Sequence, residues 1–219
     1  MAVVRPWRDE DFPDLAAEGL GHLNAGRVLA LPTETFYALA ADPFQEEALE
    51  QLYAVKGRSP AKPVLVLVSG PHMLPRLVRE VPETARLLIR RFWPGPLTLI
   101  LPARPELPLG LTGGTGTVGV RQPAVAATCR LLEAWDLPVT GTSANRAGKP
   151  PLRLAREVAK EFGDEVAFIL DAGPCHGGLP STILDVTTQP PTLVRTGALP
   201  AGRLLQVIPA LQRKEHPDG

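Results

Sequence analysis

The sequence is poor in several groups on which common chemistries depend. Among 219 residues there are two cysteines, four histidines and 5% aromatics. Cys129 and Cys175 form no CxxC pair, which excludes a disulfide framework and a zinc ribbon and points to a reducing cytosol. His22, His72, His176 and His216 are scattered, with no HxH or HExxH spacing, so no protein-held metal is expected. Neither Ser143 nor Ser181 is framed by GxSxG, so a hydrolase elbow is not expected. Cys175 and His176 do not form a dyad by adjacency, because such groups meet in space. No apolar run approaches the ~20 residues of a membrane helix. The first residues lack the apolar core of a signal peptide. The expectation is a cytoplasmic protein with no membrane contact. Lys+Arg 23 balances Asp+Glu 23, so no net charge draws the chain to nucleic acid or anionic lipid.

Proline and glycine are plentiful, at 25 and 20 residues, and predict sharp turns and stiff loops. A hydrophobic share of 44% against 21% charged is an ordinary globular mix. Residues 28–31 read as a strand halted by Pro32. Residues 45–55 predict a helix through Leu49, Leu52 and Val55, stopped by Gly57. Residues 64–68 are unbroken aliphatic, as in a buried central strand. Residues 83–92 predict a helix with Ala85, Leu88, Ile89 and Phe92 on one face, and a turn follows over 93–96. Further strands are expected over 97–101, 118–120, 139–142, 167–170, 182–186 and 192–195. Further helices fall at 124–135, facing inward through Val125, Cys129 and Leu132, at 154–162 and, shorter, at 203–208. No linker or repeat interrupts the series. The reading is one α/β domain over 1–219, with its core at about 8–200. Its sheet is mixed, because helices are too few to follow every strand.

Three loops carry candidate chemistry. Lys56, Arg58 and Lys62 place three cations and no acid in seven residues after a helix. A mobile ammonium and a planar fork suit polyphosphate oxygens, although cations at a helix C-terminus also offset its dipole. Thr142-Ser143-Ala144-Asn145, followed by Gly148-Lys149, offers hydroxyl and amide groups at a strand's end, or a turn or cap built from the same residue types. It is not a P-loop, because Ser143 and Pro150 stand where that motif needs Gly and Ser/Thr. Thr33-Glu34-Thr35 offers two hydroxyls and a carboxylate for a small polar substrate or a metal-bound water, or else a capping box into a short helix. Asparagine occurs twice and serine four times in the chain, which adds weight to their loop positions.

Taken in order, seven segments resemble the YrdC/Sua5 family, whose enzymes are threonylcarbamoyl-AMP synthases. They are residues 31–37 (LPTETFY), 56–58 (KGR), 93–98 (WPGPLT), 117–121 (TVGVR), 143–145 (SAN), 180–185 (PSTILD) and 195–197 (RTG). The KxR and SxN pair is met by Lys56/Arg58 and Ser143/Asn145. The resemblance implies a twisted mixed α/β sheet curled around a large, positively lined cavity with flanking helices. With 24 residues after Arg195, it implies the short, single-domain form. It further implies synthesis of L-threonylcarbamoyladenylate and pyrophosphate from L-threonine, bicarbonate and ATP, in an enzyme of the nucleotidyltransferase type. The product would feed threonylcarbamoyladenosine at position 37 of tRNA through downstream transferase proteins. Thr33, Arg121 and Ser181 would hold threonine. Lys56, Arg58, Lys62, Thr117, Ser143, Asn145 and Arg195 would hold ATP or the adenylate, with Lys56 and Arg58 catalytic at the phosphates and Mg²⁺ carried by ATP. The nucleophile comes from the substrate, so no catalytic triad is required.

Three positions depart from the family. Ala38 stands where Gly is usual, Lys62 where some relatives have Asn, and Leu67 where some have His, and they bear on how strictly threonine is selected. One rival reading is a diverged paralogue that binds RNA or nucleotide without making the adenylate, with RNA contact through Arg86, Arg90 and Arg91. Another is the related domain of hydrogenase maturation proteins, whose zinc-finger and acylphosphatase neighbours are absent from this sequence.

Overall fold

The apolar run that ends at Thr142 does not form one strand. In the computed structural model, which describes residues 3–59 and 62–213, it splits into β7 (Val139–Thr140) and β8 (Thr142–Ser143). These belong to different sheets, and Gly141 makes the crossing. A Cβ on Gly141 would lie 2.5 Å from Leu67 Cγ and 2.8 Å from Leu65 Cδ1, so only glycine lets the chain pass between them. Gly141→Ala is expected to destabilise by ~1–3 kcal/mol through overpacking. Urea unfolding should show a lower midpoint with an unchanged slope.

The remaining strands are β1 (Val3–Pro6), β2 (Leu29–Pro32), β3 (Tyr37–Ala40), β4 (Val66–Leu67), β5 (Leu97–Pro102), β6 (Thr117–Arg121), β9 (Phe168–Asp171), β10 (Thr182–Asp185), β11 (Thr192–Arg195) and β12 (Gln212–Arg213). One sheet has the order β1-β9-β2-β3-β8 and the other β12-β11-β10-β5-β6-β4-β7. Both mix parallel and antiparallel pairs: β2 runs parallel to β9 but antiparallel to β3, and β5 runs parallel to β10 but antiparallel to β6. The mixed character agrees with the sequence reading. The division into two sheets corrects the expectation of one.

The helices are α1 (Phe12–Asn24), α2 (Glu46–Lys56), α3 (Glu83–Phe92), α4 (Leu109–Thr112), α5 (Ala126–Trp135), α6 (Ala155–Phe162) and α7 (Ala201–Leu205). α3 covers the expected residues and buries Ala85, Leu88, Ile89 and Phe92. α5 buries Leu132 as expected, and Val125 just before the helix packs against an apolar cluster, but the rest of its inward face differs. Thr128, Leu131, Leu132 and Trp135 are buried, whereas Cys129 is half-buried and its thiol donates to the Pro123 carbonyl at 3.0 Å. The last helix starts two residues and ends three residues earlier than expected. The central strand expected over 64–68 is only two residues long, although Val64, Val66, Leu67 and Val68 are all buried.

Two apolar clusters fill the fold. The larger includes Leu49, Val66, Leu99, Val120 and Phe162, and the smaller includes Leu31, Leu67, Leu131, Trp135 and Phe168. Their burial fixes the strand ends from which the candidate side chains project.

Candidate active site

The cationic loop begins where α2 stops. Gly57 takes the left-handed conformation, φ 63°. Its N–H donates to Ala54 O at 3.1 Å and the Arg58 N–H donates to Tyr53 O at 3.2 Å, the Schellman pattern that favours glycine at this position. The turn leaves Lys56 buried and Arg58 half-buried in the wall of a cavity of about 440 Å³, within the usual range for small-molecule sites. Pro60 and Ala61 of this loop, like His216 near the C-terminus, lie outside the described residues.

Nine of the ten expected residues line this cavity: Thr33, Lys56, Arg58, Lys62, Arg121, Ser143, Asn145, Ser181 and Arg195. Thr117 does not line it. Its hydroxyl lies 2.9 Å from that of Thr115 at the start of β6. The described lining carries five cations and no carboxylate, imidazole or thiol. Such a surface suits a polyanion, and it offers no ligand set for a resident metal.

The loop between β2 and β3 is a four-residue connection, which rules out the capping-box reading of Thr33-Glu34-Thr35. The Thr33 hydroxyl donates to Phe36 O at 2.7 Å and accepts the Thr35 and Phe36 N–H groups at 3.3 Å. The Thr35 hydroxyl lies 3.0 Å from that of Thr33 and accepts from Arg121 Nη1 at 3.4 Å. Glu34 stands behind this wall. One of its oxygens accepts the Ala124 N–H at 2.9 Å, while the other, buried and otherwise unpartnered among the described residues, lies 3.8 Å from Arg121 Nη1. Burial pushes the Arg121 guanidinium pKa down, and the charge of Glu34 opposes that shift. Arg121 Nε has no partner among the described groups.

Across the cavity, Ser181 sits just before β10, and its hydroxyl lies 2.9 Å from the buried Thr98 hydroxyl. Arg195, the last residue of β11, donates from Nε and Nη2 to Ser181 O at 3.1 and 2.8 Å. Arg121 and Arg195 are close enough to repel each other. An anion placed between them would relieve that repulsion.

β8 places Ser143 opposite Ala38 of β3. The Ser143 hydroxyl donates to Asn145 Oδ1 at 2.6 Å, and Lys56 Nζ reaches both residues. Burial, and secondarily the charge of Arg58, lowers the Lys56 pKa to about 8. Burial pushes the Cys175 thiol up to about 11, which keeps it from acting as a nucleophile near neutrality.

The departures from the family pattern have plain structural outcomes. Ala38 lies in a regular strand, and Asp136 is the only described non-glycine residue with positive φ, so no glycine conformation is required there. Leu67 is fully buried behind Gly141 and is absent from the described lining, whereas its neighbour Leu65 lines the cavity. Lys62 lines it and is exposed. The sequence reading missed the apolar wall of Leu65, Gly141 and Ile183. Its signal was only the alternation of faces along short strands, which an all-aliphatic run conceals.

Known proteins share this fold and much of this sequence. The family model covering Sua5, YciO and YrdC, described as "Telomere recombination", matches residues 22–197. A threonylcarbamoyl-AMP synthase of Pyrococcus abyssi is 39% identical over 86% of this chain, which spans 55% of that protein. A Mycobacterium tuberculosis protein is 38% identical over 86% of this chain and 87% of its own length. The crystal structure of P. abyssi Sua5 complexed with L-threonine superposes with a TM-score of 0.91 at 36% identity, covering 98% of this chain and 62% of that one. With the family's ordered segments present, most of their polar residues turned into one cavity and the fold shared along nearly the whole length, the chain belongs to the Sua5/YciO/YrdC family.

Proposed function

We propose that this protein is an L-threonylcarbamoyladenylate synthase, a nucleotidyltransferase that converts L-threonine, bicarbonate and ATP into threonylcarbamoyl-AMP, pyrophosphate and water. The observation that carries the reading is the cavity lining itself, with five cations and no acid among its described residues. All three substrates bring anionic groups. ATP brings Mg²⁺ with it, as part of the substrate. The threonine amine and bicarbonate combine to a carbamate with loss of water. A carbamate oxygen then attacks the α-phosphorus, and the bond to pyrophosphate breaks.

The chain's own task is alignment and charge neutralisation. Holding reactants in an attack geometry supplies up to ~7–11 kcal/mol of barrier reduction, and fixed donors at the departing phosphates add to it. Arg121 and Ser181, with the Thr33–Thr35 turn beside them, suit the amino acid's carboxylate. Arg58, Lys62 and Arg195 suit the nucleotide phosphates, next to the Ser143–Asn145 loop. The product is suited to tRNA threonylcarbamoylation at position 37 by downstream transferase proteins, and any RNA contact by this chain belongs to that step. No described helix is long and apolar enough to cross a membrane. Both cysteines are free, which fits the reducing cytoplasm where such an enzyme would act.

Incubation with ATP, Mg²⁺, bicarbonate and each amino acid in turn, with mass detection, tests the assignment. Threonylcarbamoyl-AMP and pyrophosphate should accumulate with threonine and depend on bicarbonate. No adenylate with any amino acid, together with RNA binding that falls steeply with salt, would establish the binder instead.

A further inference from the structure

The four signature residues are not equivalent. Lys56 is 6% exposed. Its Nζ donates to Ser143 O at 2.6 Å, Asn145 Oδ1 at 2.9 Å and Asn145 O at 3.2 Å, with Ser143 Oγ at 3.5 Å. An ammonium has three hydrogens, and three good acceptors take them. The Asn145 amide is closed as well. Its Oδ1 accepts from Lys56 and Ser143, and its Nδ2 donates to Arg146 O at 3.0 Å and Lys149 O at 2.6 Å. Neither group has a hydrogen left for a phosphate. Arg58 is the opposite case. Among the described residues it makes one long bond, Nη2 to Pro63 O at 3.4 Å, and its buried Nε has no partner there.

We propose that Lys56 is a positioning residue: it fixes the Ser143–Asn145 loop where the nucleoside monophosphate end of ATP docks, while Arg58 and Lys62 carry the two outer phosphates. This rests on the adenylate-synthase reading. A pyramidal ammonium on a flexible stem can meet three oxygens converging from one loop, whereas a planar guanidinium cannot. The rest of the loop has its own anchors. The Ala147 N–H donates to Lys56 O at 3.0 Å, and Arg146 pairs with Val55 O and Glu165. Removing the ammonium should therefore loosen residues 143–145 without unfolding the chain.

The test is calorimetric binding of AMP, Mg²⁺-ATP and Mg²⁺-pyrophosphate to the wild type, Lys56→Met, Lys56→Arg and Arg58→Ala. Lys56→Met should weaken AMP and ATP by the same factor, about tenfold or more, and leave pyrophosphate within twofold. Arg58→Ala should weaken ATP and pyrophosphate and spare AMP. Lys56→Arg keeps a phosphate-binding cation but not the three-way clamp, so it should fail as Lys56→Met does; it decides the matter if the methionine variant does not fold. Loss of ATP and pyrophosphate with AMP retained in Lys56→Met, or full ATP affinity in Lys56→Arg, overturns the proposal. A wild type that binds none of the three ligands instead removes the synthase reading, and the proposal with it.

Discussion

Gly197→Ala is expected to destabilise the protein by about 3 kcal/mol, at the upper end for overpacking, and to push Ser181 out of the cavity wall. A Cβ at this position would lie 2.2 Å from Pro180 O and 2.7 Å from Ser181 O. Both are backbone atoms, so no rotamer change relieves the contact. The two segments are also tied together. The Gly197 N–H donates to Thr182 Oγ1 at 2.9 Å, and the Ala198 N–H donates to Pro180 O at 2.8 Å. For a chain of this size each kcal/mol moves Tm by about 2–4 °C, so thermal unfolding should fall by about 6–12 °C. A Tm within 2 °C of wild type would show that the close approach is not needed.

Arg121→Met should raise the Kd for threonine by about 10- to 150-fold, the equivalent of one charge-assisted hydrogen bond at ~1.5–3 kcal/mol. The guanidinium lines the cavity with a side-chain exposure of only 4%, so it is held in place before a ligand arrives. ATP affinity should change little, because Arg58 and Lys62 lie on another loop. Part of any loss in stability will come from Glu34, left buried beside an apolar side chain. Combining Arg121→Met with Glu34→Gln should restore stability but not threonine binding. If threonine binds the single variant with unchanged affinity in titration calorimetry, the carboxylate does not sit at Arg121.

Much of this architecture is legible in the sequence where one physical signal dominates. Residues 83–92 carry a clean helical stripe, and residues 192–195 form a strand with the bounds expected. Other elements are hidden by tertiary packing. α1 contains Gly19 and Gly21, poor helix formers, yet a Cβ on Gly19 would lie 2.5 Å from the Trp135 ring. Glycine is there for the helix–helix contact, at the expense of the local pattern. β3 reads Tyr-Ala-Leu-Ala, without the β-branched residues that mark strands, and is held by neighbours on both sides.

The candidate site divides in the same way. Its residue types are visible because the segments occur in the family's order. Their division of labour is not, because the capture of Lys56 by a loop 87 residues away depends on how the two sheets meet. Glu34 behind Arg121 is equally a product of tertiary structure, since 90 residues separate it from the Ala124 N–H it accepts.

The passage of residues 139–143 from one sheet to the other bears on how substrates enter. A clamshell opens by rotating two lobes about a flexible strap. Here one of the chain's passages between the sheets is a glycine wedged between Leu65 and Leu67, and the residues on either side are hydrogen-bonded into opposite sheets. Swinging the sheets apart would break the two hydrogen bonds, both 2.9 Å, that tie Thr140 of one sheet to Ala41, just past the end of β3 in the other. That cross-link resists a change in the vessel's girth, and under the proposed function nucleotide and adenylate would travel over its brim, past side chains and loops.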